Sequence, residues 1–176
     1  MNYKPHFVRR SVGETIKMSH TVQHRPFLKK ILVWGCISAN GVGPMTIIRG
    51  SMTTRKYLET LTDHVVPFKD LFDTYQHDNA SSHKAVAVQT LLHDSNIDVL
   101  PWPPYSPDLN VIENVWAVLK QKIQKLYFRS MDKLEENIYK IWYEDQDIKL
   151  TCQKVFQGIP NRLEMCIKSK GGYTKY

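Results

Sequence analysis

The sequence predicts an α/β domain, a mixed sheet flanked by helices. Three observations predict it. An apolar run rich in β-branched residues, ILVWGCIS at 31–38, is followed across ANGVG by PMTIIRG at 44–50, the pattern of an antiparallel hairpin. Beyond the hairpin, helical stripes alternate with short extended runs, the order that lays helices on a partly parallel sheet. The chain has 176 residues, enough for one domain with its own core.

Each element has its own signal. Residues 1–30 are basic, and Phe7, Val8, Val12 and Ile16 can supply a strand or two without fixing a register. After the hairpin, Thr53 or Thr54 caps a helix whose Tyr57, Leu58, Leu61 and Val65 share a face, and Pro67 ends it. A short strand follows around 74–78. Ser81 or Ser82 caps the next helix, with Ala85, Val88, Leu91 and Leu92 inward and Asn96 closing it. IDVLPW at 97–102 reads as another strand and leads into the proline-rich connector PWPPYSPDL at 101–109. The strongest helix then carries Ile112, Trp116, Leu119, Ile123 and Leu126 as one apolar stripe. Ser130 caps another helix, with Leu134, Ile138, Ile141 and Trp142. A short helix over about 160–169 is stopped by Gly171-Gly172.

Composition narrows the function. At 42% hydrophobic and 23% charged the chain is ordinary folding material. No apolar stretch approaches the roughly 18 residues of a membrane helix. The start, MNYKPHFVRR, lacks the apolar centre of a secretory signal. Cys36, Cys152 and Cys166 are odd in number and far apart, which indicates neither a disulfide framework nor a zinc site and suits a reducing compartment. The net charge is +7, and most of it lies in the first thirty residues, where Lys4, Arg9, Arg10, Lys17, Arg25, Lys29 and Lys30 stand against Glu14. Such a surface suits a polyanion such as DNA; it equally serves as a solvated edge. Lys122, Lys125 and Arg129 share a helix face with the same two readings.

Two carboxylates stand out by placement. Asp78, in QHDNASSH, falls at the end of a strand, where ligands collect on α/β sheets. Glu113, in SPDLNVIENVW, falls in the first turn of the strongest helix. Mg2+ prefers hard oxygen ligands, and a pair of such ions about 3.5–4 Å apart can cleave a phosphodiester. Holding the pair takes carboxylates on rigid elements. Each acid also has a plainer reading. Asp78-Asn79 forms a turn on its own, and Asn110-x-x-Glu113 fits a capping box. His77 and His83 bracket Asp78, and Trp102 and Trp116 read as core aromatics.

HDNASSH, followed by LPWPPYSPDLNVIENVWAVLK, resembles the hallmark of the Tc/mariner transposases. VWGCISANGVGP and IPNRLEMCIKSKGGYTKY resemble that family's earlier and last segments, so the likeness runs from about Phe7 to the end. Thirty-four residues separate Asp78 from Glu113, the interval in the branch that uses Asp, Asp and Glu. The resemblance implies a ribonuclease-H-like fold and metal-dependent cleavage of transposon ends with strand transfer into DNA. It implies Mg2+ or Mn2+ as cofactor, DNA as partner, action in the nucleus, and dimers or association with full-length transposase. Asp78 and Glu113 become the second and third metal-binding acids. Asn79 supports the Asp78 loop, and Asp108 and Asn110 shape the lead-in to Glu113. Arg9, Arg10, Lys29, Lys30, Lys122, Lys125 and Arg129 are the candidate DNA contacts.

The family's first acid, on its first strand, has no counterpart. Glu14 is the only acid before Glu59 and stands in a segment that resembles a later strand. The expectation is therefore a single partial catalytic domain over 1–176, without the helix-turn-helix domains and without the first strand. Loss of one member of a cooperating set costs on the order of 10³-fold or more in rate. A weak or inactive, marginally stable protein follows. A complete enzyme with in-frame sequence upstream of Met1, or a non-catalytic DNA-binding or oligomerisation module, are the competing expectations.

Overall fold

The structure is a computed structural model, and it describes residues 31–104 and 106–172. The β-branched run forms the hairpin. β1 covers Leu32–Ser38 and β2 covers Gly41–Ile48, paired antiparallel from Leu32↔Ile48 to Ser38↔Gly41. The turn is tighter than the sequence suggests. Only Ala39 and Asn40 lie between the paired ends, so β2 starts at Gly41 rather than Pro44. Gly41 takes φ 130°, where a side chain is strained. Between Gly35 and Ile37 the register shifts, and Gly43 with Pro44 together face Cys36 in a β-bulge. Proline, with no N–H to donate, fits there. A Cβ on Gly43 would lie 2.6 Å from Cys36 Sγ.

α3 (Ile112–Gln124), α4 (Met131–Glu144) and α5 (Gln146–Gln157) pack over the hairpin. Met45, Val115, Leu119, Ile138, Trp142 and Ile148 lie at the centre of this core. Trp142 stacks on Trp116 at 4.8 Å and donates its indole N–H to Gly43 O at 2.9 Å. A Cβ on Gly35 would press to 2.9 Å from Trp116 and 3.1 Å from Trp142, so the tryptophan pair sits directly on that glycine. In α3 the buried positions are Val115 and Leu119; Ile112, Trp116 and Ile123 are half-buried, and Leu126 lies beyond the helix, exposed. Packing by α4 on one flank and α5 on the other widens the apolar face beyond the single expected stripe.

Ser130 caps α4 as expected, its hydroxyl accepting the Lys133 N–H at 3.3 Å. α5 is an unexpected element. Only Asp145 separates it from α4, and Asp145 caps it by accepting the Asp147 and Ile148 N–H groups at 2.9 and 3.3 Å. α6 (Ile159–Lys168) starts on Pro160 and stops in the left-handed region, at Lys170 and Gly171.

A second core joins α1 (Thr54–His64) and α2 (Val86–Asp94) through Tyr57, Leu61, Val65, Val88, Leu92 and Ile97. Thr53 caps α1. α1 ends at His64, ahead of Pro67, which stands in the first turn of a 3-10 helix, Val66–Leu71, where its fixed φ is tolerated. Neither Ser81 nor Ser82 caps α2. Residues 81–84 are used in a turn closed by His83 N–H and Lys84 N–H onto Ala80 O, and α2 starts after Ala85 with no side-chain cap.

The two runs expected as strands, 74–78 and 97–102, are joined only by the parallel bridge Tyr75↔Val99. Tyr75 N–H reaches Asp98 O at 2.7 Å and Leu100 N–H reaches Tyr75 O at 2.9 Å. Pro101, without an N–H, cannot carry the ladder further. Among the described residues the mixed sheet is thus an antiparallel hairpin and one parallel bridge. The strands expected in 1–30, with Glu14, Arg9, Arg10, Lys29 and Lys30, lie outside the described residues. Among the described residues, no helix is long and apolar enough to cross a membrane.

Candidate active site

Asp78 follows the Tyr75↔Val99 bridge, at the edge of the second core. Its Oδ1 accepts the Ala80 N–H at 2.9 Å, so the turn reading of Asp78-Asn79 is realised. Oδ1 also lies 2.8 Å from His83 Nδ1. Asn79 ties the loop to the other extended segment, donating Nδ2–H to Trp102 O at 2.7 Å. A cleft of about 380 Å³ opens here, with His77, Asp78, Asn79, His83, Lys84 and Trp102 in its wall. Glu113 does not line it.

Glu113 stands in the first turn of α3, fixed by the proline-rich connector behind it. The capping-box reading is not realised. Asn110 N–H donates to Pro107 O at 3.1 Å, and Val111 starts the helix with no side-chain cap. The Glu113 carboxylate takes no hydrogen bond among the described residues. The connector is held from behind by Arg162 of α6, itself buried. Its guanidinium donates to Asp108 O at 2.9 Å and to Asn114 Oδ1 at 2.8 Å. The Asp108 carbonyl thus takes part in holding the connector, and Arg162 is a contributor that short motifs do not reveal.

The two acids sense each other. The surrounding protein withholds enough water from the Glu113 carboxyl to raise its pKa above the ordinary value, and the Asp78 charge raises it further. Acids from a loop and a helix start thus share one electrostatic environment, and among the described residues no basic side chain pairs with Glu113. Oδ2 of Asp78 and both oxygens of Glu113 are free of protein donors among the described residues. Such a hard-oxygen pair fits a divalent cation, which would favour the ionised form of both. Among the described residues no third His, Cys, Asp or Glu joins them in a metal-holding group.

Behind Asp78 lies an aromatic stack. The His83 ring stacks on Tyr57 at 4.0 Å and on His77 at 4.9 Å, nearly parallel. Tyr57, fully buried, bonds His77 Nδ1 through its hydroxyl at 2.8 Å and lies 3.3 Å from the Tyr75 hydroxyl. Burial first, then the Tyr75 charge and hydrogen bond, hold the Tyr57 phenol far above the ordinary range. Burial, followed by the neighbouring His83, pushes His77 down to about 4. In sequence His77 and His83 simply bracket Asp78. The fold makes them part of the Asp78 wall.

The candidate DNA contacts divide. The Lys122 ammonium pairs with Asp145 at 2.7 Å and Asp147 at 2.6 Å and ties α3 to the start of α5. Lys125 and Arg129 are exposed.

A loop acid and a helix acid on this scaffold define a class. Residues 7–135 match the DDE superfamily endonucleases, and the chain belongs to that family. It is 27% identical over 178 residues to the Tcb1 transposase of Caenorhabditis briggsae, a match covering 97% of this chain and 63% of that protein. The chain thus spans less than two thirds of the curated relative's length. Its fold is similar to that of the Mos1 transposase catalytic domain solved with raltegravir and Mn, at TM-score 0.74, 24% identity, 85% of this chain and 80% of that one. Mos1 comes from Drosophila mauritiana. The likeness to the Mos1 strand transfer complex has TM-score 0.78 at 23% identity, covering 98% of this chain and 51% of that one. These matches give the chain the ribonuclease-H-like α/β fold of the Mos1 catalytic domain.

Proposed function

We propose that this chain is the catalytic domain of a DNA transposase of the Tc/mariner type, with Asp78 and Glu113 as two of its metal-holding acids. The carrying observation is their convergence. With thirty-four residues between them in sequence, on a loop and a helix start, they are linked in the fold by the Asp78 charge, which adds to burial in raising Glu113. Mos1 structures solved with Mn and with Mg support a divalent cation as the partner of this pair. Asp78 Oδ2 and the Glu113 carboxylate would hold it. Held there, such an ion would supply activation of water or a sugar hydroxyl and stabilisation of the leaving oxygen of a phosphodiester.

The chain's own residues orient the acids. Asn79 pins the loop, Arg162 holds the connector, and Asn110 joins it to α3 through its backbone. DNA is the substrate on this reading, with Lys125, Arg129 and the basic residues of 1–30, Arg9, Arg10, Lys29 and Lys30 among them, as phosphate contacts. A paired-end complex of Mos1 with the left transposon end supports assembly on DNA, as a homodimer or with full-length transposase. The nucleus is where such a substrate lies. Two acids meet among the described residues, and the third that a two-ion site calls for is not among them. On this reading we expect weak nicking activity from the 176-residue chain by itself.

A plasmid-nicking assay in Mn2+, comparing the chain with Asp78→Ala and Glu113→Ala, tests this. The expected result is a trace of nicking that either substitution removes. Strong nicking that survives both substitutions would sink the assignment of the acids.

A further inference from the structure

We propose that His83 is a positioning residue that locks the Asp78 carboxylate with Oδ2 turned toward a divalent cation; the proposal rests on the metal reading of Asp78 given above. His83 Nδ1 lies 2.8 Å from Asp78 Oδ1 and 3.1 Å from Asp78 O. Both oxygens are acceptors, so a bare Nδ1 would set lone pairs against lone pairs. Nδ1 therefore carries a proton and donates to the two oxygens. Ala80 N–H is a further donor to Oδ1, at 2.9 Å. One carboxylate oxygen is thus satisfied twice, while Oδ2 takes no donor among the described residues. The carboxylate is held by one edge and open at the other.

The imidazole is itself immobilised. Its side chain is only 15% exposed, and its ring lies on the fully buried Tyr57 ring at 4.0 Å and on His77 at 4.9 Å with 4° between planes. Tyr57 comes from α1 and is buried in the second core. Order therefore passes from the core to Tyr57, from Tyr57 to His83, and from His83 to Asp78. A carboxylate that must lose its rotational freedom on binding a cation binds it less well than one already held. Removal of such an outer partner costs about 10–100-fold in metal affinity.

Two substitutions separate positioning from packing. His83→Phe keeps a ring on Tyr57 and has no donor. His83→Asn gives up the ring and keeps an amide N–H near the place of Nδ1. Mn2+ titration of the 176-residue chain by electron paramagnetic resonance reads affinity, and thermal melting of the same samples reads folding. His83→Phe should melt near the parent and bind Mn2+ about tenfold or more weakly. His83→Asn should melt lower and keep most of the affinity. Parental affinity in His83→Phe would overturn the proposal, as would losses in both variants that follow their melting temperatures. A neutral His83 carrying its proton on Nε2, read by nitrogen–proton correlation in the metal-free chain, would overturn it too. If the parent chain itself binds no Mn2+, and Asp78→Asn behaves the same, the metal reading falls and takes this inference with it. The parent titration thus tells the two failures apart.

Discussion

At the residue scale, the site is defined by which polar groups are shielded and which are left open. His77 shows the first case. Burial and the adjacent His83 bring its pKa down to about 4 from 6.5. Between those values the unfolded chain binds a proton that the folded chain refuses, so stability falls as pH drops from about 6.5 toward 4. Melting temperatures should therefore decline over that window, and His77→Gln should flatten the decline. An unchanged slope in the variant would show that other groups carry it. Asp78 and Glu113 show the second case, and both were legible in the sequence as acids at a strand end and a helix start. The plainer readings fared differently. Asp78 does make its local turn, while Glu113 makes no capping box, because Asn110 N–H is already given to Pro107 O. His83 was not legible as a partner of Asp78. Its role depends on Tyr57, twenty-six residues earlier, and no local spacing encodes that stack.

At the element scale, α6 acts on α3 through Arg162. Arg162 is 4% exposed, and its bonds to Asp108 O and Asn114 Oδ1 span the residues on either side of Glu113. Arg162→Ala should lower stability by about 2–4 kcal/mol, since charged hydrogen bonds made by a buried group are lost together. Urea unfolding measures it, and a loss under about 0.5 kcal/mol, the size of an ordinary surface change, would contradict the clamp. Arg162→Lys should recover little, because one ammonium cannot reproduce the two-pronged contact. Helices were the legible elements. α1, α3 and α4 follow their apolar stripes, and the stop glycine after α6 does what its position suggests. α5 was hidden because Asp145 alone divides it from α4, too short a break for periodicity to register. The runs at 74–78 and 97–102 have strand composition, and their pairing stops at one bridge, with Pro101 unable to extend it.

At the scale of the whole molecule, two cores meet around one site. The core of the hairpin with α3, α4 and α5 carries Glu113, with Trp116 one turn further along α3 against Gly35 and Trp142. The core of α1 and α2 carries Asp78 by way of Tyr57 and His83. Neither core alone has a pair of converging acids, so folding itself brings the site together. Fold class and family could be read from the sequence because HDNASSH and PYSPDLNVIENVW keep their spacing. The coupling between the cores could not, since it rests on contacts far apart along the chain. The central claim is that Asp78 and Glu113 together hold one divalent cation. The most direct test is Mn2+-induced broadening of backbone amide signals in the 15N-labelled chain. The account predicts broadening centred on residues 78–79 and 112–114 at once, lost at both segments in Asp78→Asn and again in Glu113→Gln. Broadening at one segment alone, or at both in spite of either substitution, would contradict it.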